Sequence, residues 1–176
     1  MRNHSILILV AACILFAPLP LVAASLRNHD AFIGYSRLGS NAFYPNVGGL
    51  NGWEGSLHIH LRPFFGVEGD VAHYGLGANA AVPRTTTLLV GPRLSLKAAR
   101  INLFVRGMVG GEHSANGNVG THISGGGFAY DFGGGLDWPI APFFAWRFSV
   151  DRISAPTVSP SGGTPARFNT GLVFRF

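Results

Sequence analysis

The 176-residue chain has one cysteine, two methionines and only 12% charged residues. Each scarcity excludes something. The lone Cys13 lies in the N-terminal apolar run, so neither a disulfide framework nor a Cys-ligated metal or redox centre is available. The formal charge is a mild +5 and no block of basic residues occurs, which argues against a nucleic-acid partner. Beyond residue 25 there is no helical period and no second apolar run of spanning length, so a helical membrane protein is excluded. No linker or shift of composition marks a second domain. The remainder is apolar and aromatic: 47% hydrophobic residues, with 25 glycines and 14 phenylalanines.

At the N-terminus, Arg2 precedes an apolar run from Ile6 to Phe16, and Pro18, Pro20 and the small-residue site Val22-Ala23-Ala24 come after it. These features predict a secretory signal peptide over residues 1–24, cut after Ala24. A transmembrane anchor is the alternative, but the run falls short of the roughly 20 apolar residues a spanning helix needs, and the two prolines bar its extension. Cleavage of 24 of the 176 residues leaves a 152-residue domain, residues 25–176, with 12 basic and 8 acidic side chains and no thiol.

Eight segments of strand length make up this domain: about Asp30 to Leu38, Asn51 to Leu61, Phe65 to Tyr74, Thr85 to Lys97, Ile101 to Gly111, Gly126 to Trp138, Phe143 to Ser154 and Arg167 to Phe176. Several approach the roughly 9 to 11 residues of a membrane-spanning strand. Their connections alternate. Arg62-Pro63-Phe64, Ala98-Ala99-Arg100 and Pro139 to Pro142 are short, whereas Gly39 to Leu50, Gly75 to Arg84, Glu112 to Gly125 and Ala155 to Ala166 are long, polar and Gly-rich. That rhythm predicts an up-and-down antiparallel barrel with tight turns at one end, together with both termini, and loops at the other.

The charges decide which solvent the barrel faces. Trp53, Leu57, Ile59 and Leu61 share one parity, and Glu54, Ser56, His58 and His60 the other; Phe144, Trp146, Phe148 and Val150 likewise alternate with Arg147 and Asp151. Across the strands the inward parity collects Glu54, Glu68, Asp70, Asp131, Asp137 and Asp151 with Arg93, Lys97, Arg106, Arg147 and Arg175, six acids and five bases. A lipid-facing position carries no unpaired charge cheaply, while a closed interior tolerates charges of balanced sign. A soluble barrel would show the inverse pattern. The chain is therefore expected to be inside-out, an all-β, eight-stranded antiparallel transmembrane barrel in outer-membrane lipid and lipopolysaccharide, its lumen plugged by salt bridges rather than open.

Some details stay open. Phe32, Gly34 and Leu38 compete with Ile33 and Tyr35 for the lipid face of the first strand, and Pro92 inside the fourth predicts a β-bulge. Trp53, Phe64, Tyr74, Trp138, Phe143 and Phe176 sit at strand ends, where aromatic girdles are expected.

The signal peptide, the eight-strand rhythm, GYSRL (Gly34 to Leu38), GPR (Gly91 to Arg93), GGGLD (Gly133 to Asp137) and the terminal GLVFRF resemble the small outer-membrane β-barrel proteins related to OmpA and OmpX. The resemblance spans the mature chain. It implies export to the outer membrane and recognition of the last strand, through Phe168, Leu172, Phe174 and the terminal Phe176, by the barrel-assembly machinery. Nothing comes after Phe176, so the periplasmic peptidoglycan-gripping domain of some relatives is not expected here.

Function is then expected at the long loops, including Asn41 to Asn51 with Phe43, Tyr44 and Pro45, and Glu112 to Gly125 with His113 and His122; no ligand is named by the sequence. A narrow channel is the alternative. An enzyme that edits lipid A is the contrasting class, but the only local His-x-Ser, His122-Ile123-Ser124, lies in a Gly-rich stretch and lacks a following Asn. His58 and His60, two apart on one face near Glu54, are a weak metal signal and are assigned to the lumen packing. No catalytic residue, cofactor or metal is expected.

Overall fold

A computed structural model describes residues 29–39, 49–75, 84–115, 124–155 and 164–176. Residues 1–24 and most of each long connection, including Phe43, Tyr44, Pro45 and His122, lie outside the described residues. The strands are β1 (His29–Leu38), β2 (Leu50–Arg62), β3 (Phe65–Tyr74), β4 (Arg84–Ala98), β5 (Ile101–Ala115), β6 (Ser124–Ala141), β7 (Phe144–Ser154) and β8 (Ala166–Arg175). Each pairs antiparallel with its neighbours in sequence, and β8 pairs with β1, so the sheet is a closed eight-stranded barrel. Closure satisfies the backbone of every strand without an edge, the condition for crossing hydrocarbon with β-structure.

The short connections are tighter than expected: Pro63 and Phe64, Ala99 and Arg100, and Pro142 and Phe143. Ala99 adopts a positive φ of 53°, the left-handed conformation that two-residue hairpins demand. At the other end β5 runs on to Ala115 and β6 starts at Ser124, which puts Glu112, His113 and Ser124 in the ladder and not in a loop. The hairpin continues because its backbone groups find partners there too.

Alternation settles the walls. Leu57, Ile59, Leu88, Val90, Leu94, Val105, Val109, Phe132, Phe148 and Val150 point outward and are exposed, while Glu54, Glu68, Asp70, Arg93, Arg106 and Arg147 are fully enclosed. In β1 the choice falls on Ile33 and Tyr35 outside, with Phe32, Ser36 and Leu38 inside. Register decides this, since Phe32 lies opposite Ser56 and Val173, both inward. Tyr74 is corrected as well. It is buried in the lumen beside Ser36, with 3.1 Å between the hydroxyls, because it shares parity with Glu68 and Asp70. Trp53, Phe64, Trp138, Phe143 and Phe176 do lie on the outer surface near strand ends.

No bulge forms at Pro92. On one side Pro92 pairs with Val67 in register; on the other, the β4–β5 ladder lapses at Gly91 and Pro92 between Val90↔Val109 and Arg93↔Arg106, keeping the same register across the gap. The missing N–H removes a bond without inserting a residue. Register shifts occur instead between His60 and Arg62 and between Pro139 and Ala141, beside two of the short turns.

The closing seam is a close approach. Gly34 and Gly171 face each other across β1 and β8, and a methyl on Gly171 would collide with the Ile33 carbonyl and the Gly34 Cα. Gly171→Ala should cost about 1–3 kcal/mol by overpacking, whereas Gly69→Ala, with nothing within 4 Å of the added carbon, should be near neutral. The temperature at which the compact band on an electrophoretic gel is lost checks the pair.

Candidate functional site in the lumen

Four arginines from β4, β5, β7 and β8 converge inside the barrel on six carboxylates, and all ten side chains are buried. The inward parity of each strand delivers them, and the length of the guanidinium arm lets each reach across the lumen. Arg106 is the hub: its Nη1 donates to Glu68 Oε1 at 2.7 Å, its Nη2 to Asp151 Oδ2 at 2.7 Å and to Glu54 Oε1 at 3.1 Å, and its Nε to Asp151 Oδ1 at 3.2 Å. Arg93 bridges Glu68 at 2.9 Å and Asp137 at 3.0 Å. Arg147 clamps Asp137 through two donors, at 2.7 and 3.1 Å. Such forked, charge-assisted bonds fix direction as well as distance.

Arg167 completes the set, at 2.9 Å from Asp131, 3.1 Å from Asp70 and 3.5 Å from Asp151. The sequence-based set omits it, although its parity with Asn169 and Arg175 is readable, because it stands where a long connection enters β8 and not in the middle of the wall. Lys97 and Arg175 go the other way. Lys97 is exposed, and Arg175 lies 3.9 Å from Asp30 with its side chain 29% exposed. Both line a cavity of about 390 Å³ at the short-turn end and take no part in the central network. The expected near-balance of six acids and five bases therefore becomes six acids and four bases in the buried layer.

Apolar and uncharged polar groups wedge the network in place. The Arg93 guanidinium stacks 3.8 Å above the Phe104 ring, and Arg147 lies 4.9 Å from Phe32. Asn169 donates to Asp151 Oδ2 at 2.7 Å and to Ser149 Oγ at 3.0 Å, and Ser56 donates to Glu68 at 2.8 Å. Leu38, Tyr74 and Ile153, near the strand ends where long connections begin, pack with Leu89 and Met108 into an apolar cluster. These inward apolar residues are not legible in the sequence, because parity alone does not tell a charged layer of the lumen from an apolar one.

Chemically, this arrangement fills space and cross-links strands. Each carboxylate is held by a guanidinium, and Glu68, the carboxylate to which the Ser56 hydroxyl donates, is already engaged by Arg93, Arg106 and Arg147. His122 of the His-x-Ser pair lies outside the described residues, and the Ser124 backbone opens β6. The last strand presents Phe168, Phe174 and Phe176 outward, with Leu172 half-buried on the same face. Phe174 meets Phe144 edge-on at 5.1 Å, and the Phe176 N–H donates to the His29 carbonyl at 3.0 Å, so Phe176 helps close the barrel.

No family model matches the chain, and neither does any curated protein sequence. Solved structures do. Ail, the attachment invasion locus protein of Yersinia pestis, is 17% identical with a TM-score of 0.60, over 85% of this chain and 99% of Ail. The N-terminal β-barrel domain of Pseudomonas aeruginosa OprF is 12% identical with a TM-score of 0.62, over 85% of this chain and 98% of that one. Neisserial surface protein A is 10% identical with a TM-score of 0.62, over 84% and 96%. At these identities the likeness is one of fold: the chain adopts the eight-stranded barrel of the small outer-membrane proteins related to OmpA and OmpX.

Proposed function

We propose that the protein is an integral barrel of a bacterial outer membrane, exported by its signal peptide, whose lumen is a structural plug and whose role is exercised at the loop-bearing end. One observation carries this: a continuous apolar exterior encloses ten buried, mutually paired charges. Water would select the reverse distribution, and only hydrocarbon outside stabilises this one. The short turns and both termini then face the periplasm and the long connections face outward. Its partners in this reading are lipid and lipopolysaccharide against the apolar band, the assembly machinery at β8 and the adjoining Phe176, and an external ligand of the loops. Ail, which shares the fold, is described as an attachment invasion locus protein, and a surface-interaction role is proposed here on the same architecture. No catalytic centre and no cofactor enter the proposal.

A narrow ion pathway is the second reading, favoured by the polar mouth cavity with Asp30, His60 and Lys97. The apolar cluster of Leu38, Leu89, Met108 and Ile153 opposes it. The test is expression with the native N-terminus, isolation of outer membranes and electrophoresis with and without boiling. The expected result is a faster unboiled band in the outer-membrane fraction and no unitary conductance in a planar bilayer. Steady conductance would select the channel instead. A single band recovered as soluble periplasmic protein would overturn the membrane assignment.

A further inference from the structure

Below the arginine network, at the short-turn end, three potential metal ligands come together outside its ten central side chains. We propose that Asp30, His58 and His60 form a binding site for a divalent transition cation of the zinc class. One ligand atom from each lies within 4.8 Å of the others. The pair His58 and His60 is local, two residues apart on the inward face of β2, with ring centroids 4.0 Å apart. Asp30 is supplied by β1, whose register sets it directly opposite His58.

His58 is the strongest sign. It is buried, yet neither ring nitrogen has a hydrogen-bond partner among the described residues. A buried imidazole without a hydrogen-bond partner is left under-solvated, a deficit a coordinated cation removes. Its Nδ1 stands 3.6 Å from Asp30 Oδ2, too long for a hydrogen bond but close to the ligand-to-ligand edge of about 3.3 Å in a tetrahedral zinc site. Bringing in the third ligand, from within 4.8 Å of the others, requires a movement of up to about 1.5 Å. Gly66 leaves the room for this ring, because a side chain there would strike His58 Nε2.

The donor set of two imidazoles and a carboxylate suits zinc, copper or nickel rather than calcium or magnesium, which take all-oxygen shells. Asp30 and His60 also line the mouth cavity, so an ion has an entry path and a fourth position open to water or an exchangeable ligand. Four cations oppose binding: Arg175 at 3.9 Å from Asp30, Lys97 across the cavity, and Arg93 and Arg147, whose charges also act on Asp30 but are already paired with Asp137; the first two lie toward solvent. Lys97 is exposed and Arg175 partly so, which lets solvent screen these two. Filled, the site pins β1 to β2 beside the closing seam.

The test is titration of the tag-free, folded barrel in detergent micelles with Co2+ after chelator treatment, read by visible absorption and followed by Zn2+ displacement. One Co2+ per chain with the intense bands of a four- or five-coordinate site is expected. His58→Asn and His60→Asn should each weaken binding by more than about 100-fold, since even an outer-shell partner is worth 10–100-fold. His113→Asn, on β5 far from this end, should leave it unchanged. The faster unboiled band certifies folding of each variant, and Asp30→Asn, which keeps side-chain shape, replaces any histidine variant that fails it. Absence of saturable binding, or binding that survives the His58→Asn/His60→Asn double substitution, overturns the proposal. Neither outcome bears on membrane insertion, which the gel measures separately.

Discussion

Arg106→Met should lower the stability of the folded barrel by about 3–5 kcal/mol, the loss expected when one member of a buried ion-pair system is removed and its partners stay charged. The variant leaves six carboxylates facing three guanidiniums. Glu68 retains Arg93 and Arg147, and Asp151 retains Arg167, but Glu54 keeps only Arg167 at 3.8 Å. Methionine fills much of the volume, so the loss reports charge and not a cavity. Urea titration of the barrel refolded in lipid vesicles measures it, with Trp53, Trp138 and Trp146 on the outer surface as fluorescent reporters. Glu54→Gln is the informative contrast. Because carboxylates are in excess, removing one negative charge while keeping an oxygen for Arg106 at 3.1 Å should cost far less. Equal losses from the two substitutions would show that the lumen is governed by packing and not by its charge count.

Val90→Lys should cost about 2–4 kcal/mol and depress insertion, because the residue lies mid-strand on the lipid face. Val90 is 53% exposed between Gly69 and Val109, with no acid on that face to receive the ammonium. Leu96→Lys is the matched control on the same strand and face. Leu96 is more exposed, at 67%, yet it sits near the short-turn end, where a lysine reaches headgroups and water and should cost about 0–1 kcal/mol. Depth, not exposure, is thus predicted to set the order. In a water-soluble barrel both substitutions would be neutral or favourable, so refolding yield into vesicles and urea midpoints separate the two solvents. A Val90→Lys protein as stable as the parent would remove the membrane assignment.

Much of the architecture is legible because hydrocarbon and lumen impose opposite demands on successive residues. In β2 and β7 the apolar and polar parities alternate without exception over the middle of the strand, and eight such segments with alternating short and long connections leave little topological freedom. Where the local pattern is mixed the legibility ends. β1 offers an apolar residue on either face, and only its pairing with β2 and β8 sends Phe32 inward. Tyr74 has the chemistry of a girdle residue and the parity of a lumen residue, and parity prevails because the strand cannot rotate one side chain out of register. Pro92 signals a defect correctly, but whether it becomes a bulge or a gap depends on the partner strand. Arg167 is hidden by its place at the mouth of a long connection, although its arm reaches the centre of the lumen.

Fold class, strand count and the side of the wall on which the mid-strand charges lie are written in the order of residues alone, since they depend on period and on the cost of a charge in hydrocarbon. Which charges meet is settled in three dimensions. Arg147 joins Asp137 at ten residues' separation, whereas Arg167 joins Asp70 at ninety-seven. Such pairings arise from barrel closure and register, which bring distant strands across one narrow lumen. The same closure withdraws Lys97 and Arg175 from the network and sets Asp30 against His58, because a residue's partners inside a barrel lie on neighbouring strands and across its diameter, not along its chain.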